Sequence, residues 1–164
     1  ARQLGSLLAA HSIELIYGGG NCGLMGVLAD EVLKSGGRVT GVIPEGLMAQ
    51  ELGHLQLTKL HIVEGMHERK ALMSRLADGF IALPGGFGTF EELFEVITWG
   101  QLGLQQKPIG LVNVEGFFDP VIELMHHAIR EGFVRPEQRQ LLVSSASPKE
   151  LLQMIGGGEC ARLA

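Results

Sequence analysis

Short runs of aliphatic and β-branched residues alternate along this chain with longer amphipathic ones, and that alternation limits the fold more than any other feature. The run IELIY (13–17) closes in Gly18, Gly19 and Gly20 and is followed by the helical pattern GLMGVLADEVLKSG. RVTGVI (38–43) runs into Pro44. LTKLHIV (57–63) precedes MHERKALMSRLA, in which Met66, Leu72, Met73 and Leu76 share a helical face. FIAL (80–83) passes through a glycine turn into FEELFEVITWGQLG. PIGLVN (108–113) leads to DPVIELMHHAIREG, with Asp119 and Pro120 as N-cap and first-turn residue. LLVSSA (141–146) is the last expected strand, and Ser147-Pro148 opens a final helix. Strands that are apolar throughout and alternate with helices belong to a parallel sheet covered on both faces. The expectation is a Rossmann-like, doubly wound parallel sheet, three-layer α/β/α, in a single domain spanning 1–164. MAQELGHLQ (48–56) is the least regular stretch and reads as a surface helix or an active-site loop.

Composition removes several function classes. A net charge of -5 argues against a nucleic-acid coat or a polybasic membrane anchor. No apolar run approaches the ~20 residues of a membrane span, and no signal peptide is visible. Cys22 and Cys160 are far apart and fit no metal or redox spacing, which is the thiol usage of a cytoplasmic protein. The chain holds 24 glycines among 164 residues, about twice the usual share of roughly 7%; many sit beside apolar runs, where they make tight strand-to-helix turns. The chain opens without Met, inside a segment of helical spacing, so residues are expected upstream of it.

In a parallel sheet, ligands bind beyond the carboxyl ends of the strands. Three segments reach that rim: the turn at 18–23, the turn at 85–88 and the start of the MHERK helix. In YGGGNCGLMG, glycines allow a phosphate to approach the backbone, and the helix that follows offers free N–H groups. The competing reading is a tight turn in which Gly23 and Gly26 permit close helix–sheet packing. No Gly-Lys-Ser/Thr follows, so this is not a Walker loop, and no acidic ribose partner stands at the usual distance, which disfavours a dinucleotide.

PGGFGTFEE is more informative. Pro84 stops the strand; Gly85, Gly86 and Gly88 permit unusual dihedrals and bare N–H groups. Thr89 adds a hydroxyl at the helix start, as a cap or a phosphate contact. Glu91 and Glu92 then fall in the first turn, where the helix dipole makes acids ordinary. A carboxylate there has a second use, facing a ribose whose carbon becomes cationic as a glycosidic bond breaks. In MHERK, Arg69 and Lys70 sit one turn into a helix on the same rim; a solvated charged face is the commoner fate of such residues. His67-Glu68 lacks the second histidine of a zinc helix, His126 and His127 fall on different helix faces, and no metal is expected. No Gly-x-Ser-x-Gly elbow occurs, and Cys22 reads as packing.

Taken together, YGGGNCGLMG, GVIP, MHERKALM and LPGGFGTFEELFEVITWGQLGLQQKPIGLVN resemble the Lonely Guy family of cytokinin riboside 5'-monophosphate phosphoribohydrolases, long labelled as lysine decarboxylases. The match runs from about Leu4 to Ala146. The resemblance implies a Rossmann-like homodimer that hydrolyses the N-glycosidic bond of a nucleoside 5'-monophosphate to free base and ribose 5-phosphate, with no cofactor. It implies Arg69 and Glu92 as catalytic pair. Glu51, Lys70, Gly86, Phe87, Gly88, Thr89, Phe90, Glu91, Glu92 and Thr98 match substrate-contacting positions. Gly18, Gly19, Gly20 and Gly85 remain candidates for holding phosphate. Family members begin with an additional strand and a Gly-Ser loop that this sequence lacks, so a first strand is expected to be missing from it.

The rival function is a non-catalytic nucleotide or molybdenum-cofactor carrier, since such carriers share the fold and its glycine turns. A carrier has no need of both Arg69 and Glu92. A dimer is also expected from FEELFEVITWGQLG, where Phe90, Leu93, Phe94, Val96, Ile97 and Trp99 cannot all face one sheet; burial of that helix within its own domain is the alternative.

Overall fold

The computed structural model of the chain describes residues 1–48, 53–54, 56–156 and 162–164. Contacts divide them into two units, Ala1–Gly79 with Gly156–Ala164, and Phe80–Ile155. Each is built on a parallel sheet with helices between successive strands, the Rossmann-like α/β arrangement expected from the alternation.

In the first unit, α1 (Arg2–Ala10), β1 (Glu14–Tyr17), α2 (Gly23–Lys34), β2 (Val39–Pro44), α3 (Glu45–Met48), β3 (Lys59–Val63) and α4 (Met66–Leu76) follow one another. All six residues of β2 are buried because it lies between β1 and β3. That position explains why its sequence shows no polar alternation. Leu4 and Leu8 of α1 and Leu28, Ala29 and Val32 of α2 are buried core. Thr40 is a polar residue in this core, and its hydroxyl donates to Glu14 Oε1 at 2.7 Å.

The second unit contains β4 (Phe80–Ala82), α5 (Phe87–Gln101), β5 (Ile109–Val112), α6 (Asp119–Arg130), β6 (Leu142–Ser145) and α7 (Pro148–Met154). Here β5 is the central strand, flanked by β4 and β6, and all four of its residues are buried. Ser147 caps α7 as expected, accepting from the Glu150 N–H at 3.4 Å. At α6 the cap differs from expectation: Phe118 is the N-cap and Asp119 is already helical. Asn113 takes Asp119 away from capping, donating to its Oδ1 at 2.7 Å while accepting from the Phe118 N–H.

Each expected strand is present, five of them shortened by one or two residues at their ends and β2 shifted by one residue, so that it takes in Pro44. One strand was not expected. Arg162–Leu163 forms β7, parallel to β1, with Leu163 also bridging to Gly79. Two residues carry no periodicity, so nothing in the pattern marks them.

Candidate functional site

In the first unit, β1 ends at Tyr17 and the chain turns through Gly18, Gly19 and Gly20, all three buried. Gly19 has φ +78°, a conformation that favours glycine, and a Cβ there would stand 3.1 Å from Ile43 Cβ. At Gly18 the constraint is different. A Cβ would overlap the Arg69 guanidinium, coming 2.8 Å from its Cζ. The Nη2 end of the arginine therefore abuts bare backbone, and glycine is what makes room for it.

Arg69 is the one described residue of α4 that is buried, at 7% exposure. Its Nη1 lies 3.8 Å from Met66 Sδ, and its backbone N–H closes the first turn onto the Gly65 carbonyl at 3.0 Å. A solvated charged face is thus excluded for this residue. The apolar stripe expected on the helix is not the buried side either: Met66 is 42% exposed, and Leu72, Met73 and Leu76 are only half-buried. An ionised side chain is expensive to remove from water, so its burial here calls for a use. Lys70, the next residue, is half-buried.

The turn after β1 also differs from expectation at two glycines. Gly26 does not give space to the sheet; a Cβ there would come 2.5 Å from the Asn21 carbonyl oxygen of its own turn. Gly23 has nothing near it but φ +60°, so its role is conformational.

In the second unit the turn after β4 opens α5, a helix of 15 residues that starts at Phe87. Gly86 is the N-cap and supplies no side-chain cap, which leaves the N–H groups of the first turn available to an anion. None of Gly85, Gly86 and Gly88 has positive φ, contrary to expectation. Their value is access: at Gly86 and Gly88 a Cβ would meet nothing within 4 Å, whereas at Gly85 it would strike the Thr89 hydroxyl. Thr89 is no cap, because the helix has begun two residues before it.

The same early start corrects the position of the acids. Glu91 and Glu92 are the fifth and sixth residues of α5, and its first turn contains no acidic residue. The helix dipole acts within that first turn, so it no longer accounts for them. They also differ from each other, Glu91 being exposed and Glu92 half-buried. Leu93 and Ile97 form the buried stripe of the helix, while Phe87 is 93% and Phe94 39% exposed. Phe90 stacks on Phe117, centroids 6.4 Å apart. Thr98 is exposed and turns its hydroxyl back onto the Phe94 carbonyl at 2.7 Å. Glu51 lies outside the described residues.

Two buried polar groups escaped the sequence reading. His54, in the stretch read as irregular, is 4% exposed and its Nε2 lies 2.9 Å from Asp30 Oδ1. Tyr17 is buried, and among the described residues its hydroxyl has no hydrogen-bond partner. Desolvation, with the nearby Asp30 carboxylate, pushes its phenol well above the ordinary range. Neither has a local sequence signature, since both depend on contacts with α2.

The family model described as "Possible lysine decarboxylase" matches residues 25–155. The chain is 51% identical over 155 residues to the "Probable cytokinin riboside 5'-monophosphate phosphoribohydrolase LOGL1" of Oryza sativa subsp. japonica, covering 94% of this chain and 70% of that protein. It is 49% identical over 152 residues to "Cytokinin riboside 5'-monophosphate phosphoribohydrolase LOG" of the same plant, covering 93% of this chain and 63% of that one. Among solved structures, the molybdenum cofactor binding protein of Rippkaea orientalis superposes with a TM-score of 0.69 at 21% identity, over 95% of this chain and 83% of that one. That last likeness is one of fold. By the extent of the family match and its identity to these relatives, the chain belongs to the Lonely Guy family, the cytokinin riboside 5'-monophosphate phosphoribohydrolases that also carry the lysine decarboxylase label.

Proposed function

We propose that this protein hydrolyses the N-glycosidic bond of adenosine 5'-monophosphates, including N6-substituted ones, to the free base and ribose 5-phosphate. The observation that carries the reading is Arg69, an arginine buried against Gly18, where any side chain would displace it. Its support from relatives is their naming as phosphoribohydrolases at 49% and 51% identity. Residues 1–164 act as one nucleotide-binding domain on this reading, in the cytoplasm, where widely spaced cysteines stay reduced.

The chemistry assigns different work to the two ends of the ligand. Cleavage of an N-glycoside passes through an oxocarbenium-like state, so a carboxylate beside the sugar stabilises it and can orient the attacking water. Glu92 takes that role. The departing base gains negative charge, and Arg69, which holds its proton too tightly to be an easy acid, stabilises that charge as a fixed cation. The uncapped first turn of α5 takes the 5'-phosphate on backbone N–H groups, with Thr89 adding its hydroxyl. Glu51, Lys70, Phe87, Phe90, Glu91 and Thr98 complete the substrate contacts, and Gly18–Gly20 and Gly85 each shape their own turn. No cofactor or metal takes part.

The partner is a second copy of the chain. Phe87 and Phe94 of α5, Leu102 at 64%, Leu104 at 71% and Phe133 at 85% exposure are large apolar side chains left in water, which a second copy would cover. A monomeric mass at micromolar concentration would contradict the dimer. For the activity, AMP and isopentenyl-AMP are assayed side by side with the Arg69→Ala and Glu92→Ala variants. Release of base by the native chain and its abolition in both variants support the reading. Tight nucleotide binding without turnover would favour a carrier instead.

A further inference from the structure

Besides the Tyr17 phenol, three polar residues are buried among the described residues: Thr40, His54 and Arg69. Thr40 is satisfied by Glu14 and Arg69 belongs to the proposed chemistry, which leaves His54 without a stated purpose. We propose that His54 is a positioning residue for Arg69, holding the glycine turn on which the guanidinium lies. The inference rests on the reading that Arg69 acts on the substrate.

His54 is tied on three sides. The Gln56 N–H donates to its Nδ1 at 3.3 Å, so that nitrogen is the acceptor and the ring proton sits on Nε2. Nε2 then donates to Asp30 Oδ1 on α2 at 2.9 Å. The backbone N–H of His54 donates to the Gly19 carbonyl at 3.1 Å. The ring thereby ties His54 to α2, and the amide passes that constraint to Gly19. Ile43 of β2 stands close to Gly19, 3.1 Å from where a Cβ would be. Gly18 is next in the chain, and Arg69 lies directly on it. A loosened Gly19 carbonyl shifts the surface under the guanidinium and so displaces Arg69 without substituting any group that would touch the ligand.

Asp30 offers the gentlest perturbation because its side chain is 66% exposed, so Asp30→Ala opens no cavity. His54→Ala removes the ring, and His54→Gln retains a donor able to reach Asp30. Steady-state AMP hydrolysis by the full chain is expected to show kcat reduced about 10- to 100-fold in Asp30→Ala and His54→Ala, the scale of a sub-ångström to 1 Å misplacement. KM should change less than about 3-fold, and His54→Gln should recover most of the rate. On an Arg69→Lys background, Asp30→Ala should add no further loss, since coupled residues are not additive. A kcat for Asp30→Ala within about 2-fold of native, or losses that multiply with Arg69→Lys, would overturn the proposal. A second measurement is independent of turnover: labelling of Arg69 by an arginine-selective dicarbonyl should quicken in Asp30→Ala and return to native rate in His54→Gln. Unchanged labelling in Asp30→Ala overturns the proposal even if the native chain hydrolyses nothing. Absence of hydrolysis by the native chain, with labelling changed as expected, would count against the enzymatic reading alone.

Discussion

Substituting Gly18 by alanine should damage activity far more than stability, because the added methyl meets the tip of Arg69 and not the backbone. The methyl carbon would stand 2.8 Å from the guanidinium carbon, where ordinary contact begins at 3.4 Å, so the guanidinium retreats by about 0.6 Å at its carbon and by more at Nη2. Displacement of a catalytic group by ~1 Å lowers rates by about 100-fold, equivalent to about 2.7 kcal/mol in the barrier. Overpacking costs about 1–3 kcal/mol of stability, toward the low end when a flexible side chain can yield. For a domain of this size that is a fall in Tm of about 2–4 °C per kcal/mol. The assay pairs kcat/KM for AMP with a thermal melt. Gly88→Ala is the stability control, since its methyl would enter open space on a helix, and its Tm should hold or rise by the equivalent of up to about 1 kcal/mol. Native kcat/KM in folded Gly18→Ala would refute the argument that glycine at 18 exists to seat Arg69.

Glu92→Gln keeps the shape of the side chain and removes its charge, so kcat should fall about 100- to 1000-fold while KM stays within a few-fold, read by steady-state kinetics. Gly26→Ala would press a methyl to 2.5 Å from the Asn21 carbonyl oxygen, and because backbone cannot step aside, chemical denaturation should show a loss of about 1–3 kcal/mol. Tyr17 sets an alkaline limit. Its folded-state pKa is raised above the ordinary 10.0, so the unfolded chain loses the proton first and stability falls as pH climbs past 10, by at most about 1.4 kcal/mol per pH unit. Tyr17→Phe should remove that slope without lowering stability at neutral pH, because the hydroxyl it deletes has no partner among the described residues; denaturant melts at pH 8 and pH 11 check both.

The sheet elements were legible because β2 and β5, each flanked by two strands, need apolar residues on both faces, and such runs stand out against amphipathic helices. β7 was not legible, being two residues long and defined only by its partners. At the site, MHERK and the turn at 85–88 were visible as residue types, but their physics was not. Burial of Arg69 depends on space left by Gly18, some fifty residues earlier. In the sequence Thr89 reads as the cap, which puts the glutamates within reach of the dipole, whereas the helix starts at Phe87 and carries them past its first turn. His54 and Asp30 meet only through tertiary structure, and no spacing rule pairs them.

The proposed activity turns on which bond breaks. Incubation with AMP in water enriched in oxygen-18 decides it: adenine and ribose 5-phosphate are expected in equal amounts, with the label on the ribose anomeric oxygen and none in phosphate or base. Adenosine with labelled inorganic phosphate, or intact nucleotide bound and never turned over, would contradict it.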